Sequence, residues 1–269
     1  MWFEVFRSFV LGGIQGLTEF FPVSSSGHLI LVPVLFHWPD QGLAFDAMLN
    51  LGTVSALIIF FRKDLLDLFR RLISKGEDQK KAGVFVLKII VATIPAALLG
   101  VLLSDLLSAY SRQAWLVAFD TALWALVLLW ADRWSGKQKT TLKDFEQVSW
   151  KQALTVGFAQ PLALAPGTSR SGITISAGLF TGLSREAAAR FSFFLSIPIT
   201  GAAGMFGLVK VVKQGVGQDG TLVLVVGFFS ALCFGIFAIR FLLSYVAKHR
   251  YDGFVAYRLA LALLIAVLV

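Results

Sequence analysis

"GGIQGLTEFFPVSSSG", residues 12 to 27, decides how this chain is read. Gly12, Gly13, Gly16, Pro22, three consecutive serines and Gly27 interrupt an otherwise apolar segment that runs from residue 1 to about residue 34. That is a poor pattern for one continuous spanning helix. Non-helical backbone at membrane depth survives only where protein or a wet cavity satisfies its N–H and C=O groups. The segment is therefore expected to form a helix–loop–helix that enters and leaves on one side. The same pattern recurs from residue 150 to about 182, where Pro161, Pro166, Gly167, Gly172, Gly178 and Gly182 break a second apolar stretch. Ser184 stands where it would cap the helix that follows.

The setting of these two segments follows from composition. Of 269 residues, 57% are hydrophobic and only 15% charged, more apolar surface than a soluble core requires. Apolar stretches near bilayer-spanning length recur at Ala44–Phe61, Val84–Leu103, Trp115–Trp130, Ala187–Val209, Leu222–Leu243 and Phe254–Val269. They are apolar on every face, whereas the strands of a membrane barrel would alternate. The chain is expected to be an all-α polytopic membrane protein. Glu4 beside Arg7, with no A-x-A site after it, is not the pattern of a cleaved signal peptide. The single Cys233 excludes an internal disulfide and is expected to pack among apolar neighbours.

The net charge of +8 is distributed in a way that speaks for a membrane and not for nucleic acid. Basic residues gather in three connections: Arg62 to Lys81, Arg133 to Lys151, and Arg240 with Lys248, Arg250 and Arg258. The positive-inside rule makes these cytoplasmic loops, which set topology and meet anionic lipids. The intervening connections are poor in Lys and Arg: Val32–Leu43 has neither, Ser104–Gln113 has Arg112 alone, and Lys210–Gly220 has Lys210 and Lys213. No nucleic-acid partner is implied.

The two broken segments also resemble each other. At an offset of 145, Gly12 matches Gly157, Gln15 matches Gln160, Ser24 matches Ser169, Ser26 matches Ser171, Gly27 matches Gly172 and Ile30 matches Ile175. Each segment is followed by three expected spans, so a first unit that begins outside forces the second to begin inside. The chain is thus expected to be one integral membrane domain of two inverted repeats, about residues 1–133 and 150–269, each a re-entrant helix–loop–helix plus three transmembrane helices. Such repeats bring their broken segments together near the midplane, where these folds keep their functional site.

The chemistry gathered there would be Glu19, Ser24, Ser25, Ser26 and His28 from one loop and Gly167, Ser169, Arg170, Ser171 and Thr174 from the other. Arg170 cannot shed its proton, so at membrane depth it calls for an anion, and its planar fork suits phosphate oxygens. Gly167, Gly172 and the hydroxyls give flexible backbone and convergent N–H groups ahead of a helix N-terminus, the makings of a phosphate-binding turn. His28 can move protons near neutral pH, a serine can act as nucleophile, and Glu19 can bind a cation or act as base. Plainer roles exist for each: small residues let helices approach closely, and Glu19 with Arg170 would make a structural ion pair. Their coincidence on two matched segments favours phosphoryl transfer. Asp46, Asp105, Asp120 and Asp132 are weaker candidates because they fall near expected span ends, and Asn50 is ambiguous.

"GLTEFFPVSSSGH" at 16–28, followed by "PGTSRSG" at 166–172, resembles the two signature motifs of the undecaprenyl-diphosphate phosphatase family, the bacitracin-resistance type of bacterial membrane enzyme. The resemblance extends over essentially the whole chain and includes "FDAMLNLGT" at 45–53. It implies an inner-membrane enzyme that removes the terminal phosphate of undecaprenyl diphosphate, recycling the carrier lipid for cell-wall synthesis, and that depends on a divalent cation such as Mg2+ or Ca2+. By motif position it implies Glu19 as the acidic and metal residue, Ser25 as nucleophile, His28 as its helper and Arg170 as the diphosphate anchor. Ser24, Ser26, Gly167, Ser169, Ser171 and Thr174 would line the same pocket. Some members carry a second glutamate four residues before Glu19, where this chain has Gln15. The rival class is a polyprenyl-phosphate flippase or carrier, since inverted repeats also serve alternating access. Both termini, and the mouth of the site, are expected on the periplasmic side.

Overall fold

A computed structural model describes residues 1–39, 42–103, 114–137, 141–214 and 220–268. Asp105, Arg112 and Lys139 lie outside the described residues, as do the side chains of Lys210 and Lys213. The described residues are mostly helical: α1 Trp2–Phe20, α2 Ser25–Phe36, α3 Gly42–Phe60, α4 Arg62–Ile73, α5 Glu77–Leu102, α6 Ala114–Ser135, α7 Trp150–Ala159, α8 Arg170–Phe180, α9 Arg185–Gln214, α10 Gly220–Val246 and α11 Asp252–Leu268. Short 3-10 turns occupy Phe145–Gln147 and Gln160–Leu164. Among the described residues the only β pairing is a single bridge between Leu142 and Leu183.

Among the described residues four helices, α5, α6, α9 and α10, are long and apolar enough to cross a bilayer. Helix α3 passes that test only together with α4, from which it is bent by 71°. The sixth expected span, α11, has 17 residues, or about 26 Å at the helical rise, slightly less than the hydrocarbon core. Large apolar side chains such as Leu98, Trp130, Phe206 and Leu263 face outward, as lipid-facing surface requires. Cys233 is exposed in the same way, not packed in the core as expected.

Close helix approach organises the bundle. Helix α1 lies along α10, and α7 lies along α5. At the first contact a Cβ on Gly12 would come within 2.6 Å of the Gly227 carbonyl; at the second, a Cβ on Gly157 would come within 2.7 Å of Ala92. Gly12 and Gly157 are partners at the offset of 145, so the same small residue opens the same kind of contact in both places. Helices α3 and α9 pack on each other, as do α6 and α11.

Helices α2 and α8 differ in burial. In α8 every residue from Ser171 to Leu179 is buried, whereas in α2 only Gly27, His28 and Leu31 are. Helix α8 is enclosed by its neighbours, whereas most of α2 is at least partly exposed. At the far end of the bundle Asp132, almost wholly buried, accepts from Arg185 Nε and from the Tyr251 N–H at 3.4 Å. Burial and that carboxylate push the Tyr251 phenol well above its ordinary range. Ser184 caps α9 through the Ala187 N–H at 3.1 Å, as expected.

Candidate active site

The breaks after α1 and before α8 end in the same turn. Ser24 and Ser169 are the N-caps of α2 and α8, with φ of 72° and 70°, a region that L-residues rarely enter. Each hydroxyl accepts from the N–H three residues on, Gly27 at 3.3 Å and Gly172 at 3.2 Å. Each also meets the hydroxyl two residues on, Ser26 and Ser171, at 3.2 Å in both cases. The correspondence read at an offset of 145 is thus a correspondence of backbone and hydrogen bonds.

The two turns touch. Arg170 Nη2 donates to Glu19 Oε1 at 2.8 Å, the Gly167 N–H to Ser26 Oγ at 3.4 Å, and Ser171 Oγ to the Phe21 carbonyl at 3.0 Å. Glu19 is held from its other oxygen as well: Oε2 accepts from Ser25 Oγ at 2.8 Å and from Gln15 Nε2 at 3.1 Å. Gln15 therefore orients the carboxylate by donating to it, a role a second glutamate could not fill while ionised. Arg170 keeps Nη1 buried with no hydrogen-bond partner. A guanidinium N–H left in that condition is costly unless an acceptor meets it.

Two expected residues are placed differently from their expected roles. The hydrogen bonds of His28 do not go to Ser25. Its Nδ1 meets the Ser24 carbonyl at 2.7 Å, and its Nε2 meets the Tyr257 hydroxyl at 2.6 Å with the two rings parallel. A carbonyl only accepts, so Nδ1 carries the hydrogen and Nε2 accepts from the phenol. Thr174 is buried away from the site, its hydroxyl donating to the Arg170 carbonyl at 2.7 Å and paired with Ser192 at 2.7 Å. It fastens α8 to α9.

Other residues enter the site unannounced. Arg258 is fully buried, not part of a solvated basic loop as its grouping with Arg250 suggested. Its guanidinium donates to the carbonyls of Thr121 at 3.1 Å, Pro22 at 3.3 Å, Gly167 at 2.8 Å and Thr168 at 3.0 Å. One side chain of α11 thus holds both turns to each other. Asp120 is buried as well and close enough to act on Arg258 electrostatically. Proximity to span ends did not put Asp120 and Asp132 in water. The signal for Arg258 was present: a charge inside an apolar run, "VAYRLALALLIAV" at 255–267, is a functional candidate by default. Tyr257, its neighbour, carried no comparable signal.

A cavity of about 880 Å³ opens over this assembly. Gln15, Glu19, Ser25 and Ser26 form its polar floor, Asp46 and Asn50 of α3 line it too, and Leu29, Ile30, Pro33, Val34 and Leu49 supply an apolar wall. A smaller polar recess of about 190 Å³ continues from Glu19, Ser25 and Ser26 to Ser169 and Arg170. Its lining is charged and hydroxylic where the larger cavity becomes greasy. The pair is shaped for an amphiphile with an anionic head.

Among the described residues no three His, Cys, Asp or Glu side chains converge as a metal cluster. The oxygen donors that line the cavity, the carboxylates of Glu19 and Asp46 with the amides of Gln15 and Asn50, are the kind a hard divalent cation takes. They would hold such an ion only with ligands added by a phosphate or water.

Comparison with known proteins identifies a family. Residues 8–264 match the family model described as bacitracin resistance protein BacA. The chain is 42% identical over 272 residues to an undecaprenyl-diphosphatase of Rubrobacter xylanophilus, covering 98% of each chain. It is 43% identical over 263 residues to an undecaprenyl-diphosphatase of Aliivibrio salmonicida, covering 95% of each. With a family match over residues 8–264 and two relatives above 40% identity across nearly the whole length, the chain belongs to the BacA family of membrane proteins.

Proposed function

We propose that this protein hydrolyses undecaprenyl diphosphate to undecaprenyl phosphate and inorganic phosphate. The observation that carries the reading is the cavity whose apolar wall leads to a floor of Glu19, Ser25 and Arg170. The prenyl chain lies along the apolar side and the diphosphate reaches the recess, where Arg170 Nη1 and the Ser169 turn take its oxygens. Family membership and the two named relatives support the same substrate.

The sequence suggested that His28 would activate Ser25; the geometry supports Glu19 in that task. Ser25 Oγ attacks the terminal phosphorus in line while its proton passes to Glu19 Oε2, 2.8 Å away. The bond from that phosphorus to the bridging oxygen breaks, and the lipid monophosphate departs with the bridging oxygen. Water then attacks the phosphoserine, restoring Ser25 and releasing phosphate. In the competing version water attacks directly and Ser25 only donates a hydrogen bond. His28 acts one step back, holding the Ser24 carbonyl beside the nucleophile. Mg2+ or Ca2+ would be held by Glu19, with Asp46 across the cavity and the substrate's phosphates, and would supply charge neutralisation of the diphosphate.

The distribution of basic loops and the paired turns support two inverted halves in a bacterial inner membrane, with both termini and the cavity mouth toward the periplasm. Phosphate release from a prenyl diphosphate by the purified protein in detergent tests the function. Release that disappears in Arg170→Ala and Glu19→Ala is the expected result. A folded protein that binds the lipid and releases nothing would overturn it.

A further inference from the structure

Helix α4 is built like a helix that lies on a membrane surface. It turns away from α3 by 71° immediately after Phe61, so it leaves the direction of the spans at the point where the apolar sequence ends. Its 12 residues, RKDLLDLFRRLI, divide into sectors at about 100° per residue. Leu65, Leu68 and Leu72 form one sector and pack on the protein core.

The next sector begins with exposed Arg62, whose Nη1 donates back to the Ile59 carbonyl at 3.0 Å, and continues as apolar Leu66, Phe69 and Ile73, which are 54%, 59% and 68% exposed. Lys63 and Arg70, seven residues apart, form the sector beyond it, and both are exposed. Among the described residues neither of them is in an ion pair. The charges on the remaining face are already committed. Arg71 is held by Asp67 at 2.9 Å and Glu146 at 2.8 Å, and Asp64 faces Arg190 at 3.9 Å.

An exposed apolar stripe flanked on its outer side by unpaired basic residues has one natural solvent, the boundary between acyl chains and anionic headgroups. We infer that α4 lies in the headgroup layer, with Leu66, Phe69 and Ile73 in the acyl boundary, and that Lys63 and Arg70 bind anionic phospholipid there. The occupant is a lipid surface because α4 continues directly from α3, an apolar helix of 19 residues, about the length that the hydrocarbon core takes. A soluble acidic partner would have to displace lipid from the stripe first. Since the opposite face of α4 is tied through Arg71 to Glu146, the anchored helix also braces the turn that leads into α7. No residue of α4 lines the cavity or the recess of the site.

The test uses the full chain with Cys233→Ser, which removes its single cysteine, and Phe69→Cys carrying an environment-sensitive fluorophore. In nanodiscs of phosphatidylcholine mixed with phosphatidylglycerol, nitroxide near the headgroup should quench the label more than nitroxide at the chain end. Trace nitroxide-labelled phosphatidylglycerol should quench more than the matching phosphatidylcholine, with an enrichment of about fivefold per basic residue at low salt. Lys63→Glu with Arg70→Glu should abolish that lipid preference while leaving quenching by depth intact. A label quenched by aqueous iodide but not by nitroxide lipid would overturn the placement. Equal quenching by both headgroups in the unswapped protein would overturn the anionic specificity.

Discussion

Ser25 Oγ donates to Glu19 Oε2 at 2.8 Å, while His28, on the same short helix, is joined to Tyr257 at 2.6 Å. The two contacts assign different tasks to residues that stand three apart in one motif. Glu19→Gln is expected to lower turnover about 10²–10⁴-fold, the range for a lost general base. His28→Gln and Tyr257→Phe should each cost about tenfold, and the double variant no more than the worse single one, because both remove one interaction. Steady-state rates on a prenyl diphosphate decide it. A larger loss in His28→Gln than in Glu19→Gln would return the proton to the histidine.

Arg170 spends one nitrogen on Glu19 and keeps Nη1 buried and unsatisfied. Lysine could replace the first contact but not a fork that serves two groups at once. Arg170→Lys is expected to lose about 10- to 100-fold in kcat/KM, in line with one lost charge-assisted bond to phosphate. Its melting temperature should stay close to that of the parent. Parental kcat/KM in a folded Arg170→Lys protein would refute the anchor.

Arg258 makes no contact with the cavity and still determines the spacing of the two turns, through Pro22 on one side and Gly167 with Thr168 on the other. Removing it leaves buried carbonyls unpaired, so Arg258→Met should lower stability by about 3–5 kcal/mol. Arg258→Lys should fold better than Arg258→Met and still turn over slowly, since an ammonium cannot reach all these acceptors in one plane. Gly172→Ala approaches the same contact from outside, as its Cβ would fall 2.9 Å from Arg258 Nη1. Depressed kcat with KM near the parental value in both Arg258→Lys and Gly172→Ala is the expected signature of misplaced turns. Parental kcat in Arg258→Lys would reduce the residue to a packing role.

These contacts divide what could be read from sequence from what could not. Gly12 and Gly157, Ser24 and Ser169, and Gly27 and Gly172 were legible as pairs because they recur at an offset of 145, while the close approach and the capping that each pair serves appear only in the folded chain. Arg170 was legible because a charge beside glycines and serines has few uses in a membrane. The task of His28 was not, since its partner lies 229 residues away on a helix with no motif. Arg258 was hidden by bookkeeping of charge along the chain, which grouped it with Arg250 although a helix end separates them. Asp46 and Asn50 entered the cavity only when α3 packed beside α1.

The twin caps allow a comparison that separates hydrogen bonding from backbone strain. At Ser24 and at Ser169 the side chain caps a helix while the backbone sits at positive φ. Alanine removes the cap, worth about 1 kcal/mol, and keeps the strain. Glycine also removes the cap but relieves strain of about 1–3 kcal/mol. Ser24→Gly should therefore be more thermally stable in detergent than Ser24→Ala, and Ser169→Gly more stable than Ser169→Ala. The order should hold at both sites even though α8 is buried along its length and α2 is not, because the turns share the same torsions. All four variants should lose turnover, since the 3.2 Å contacts to Ser26 and Ser171 disappear with the hydroxyl. An alanine variant as stable as its glycine counterpart at either site would mean that the positive φ is held without strain there.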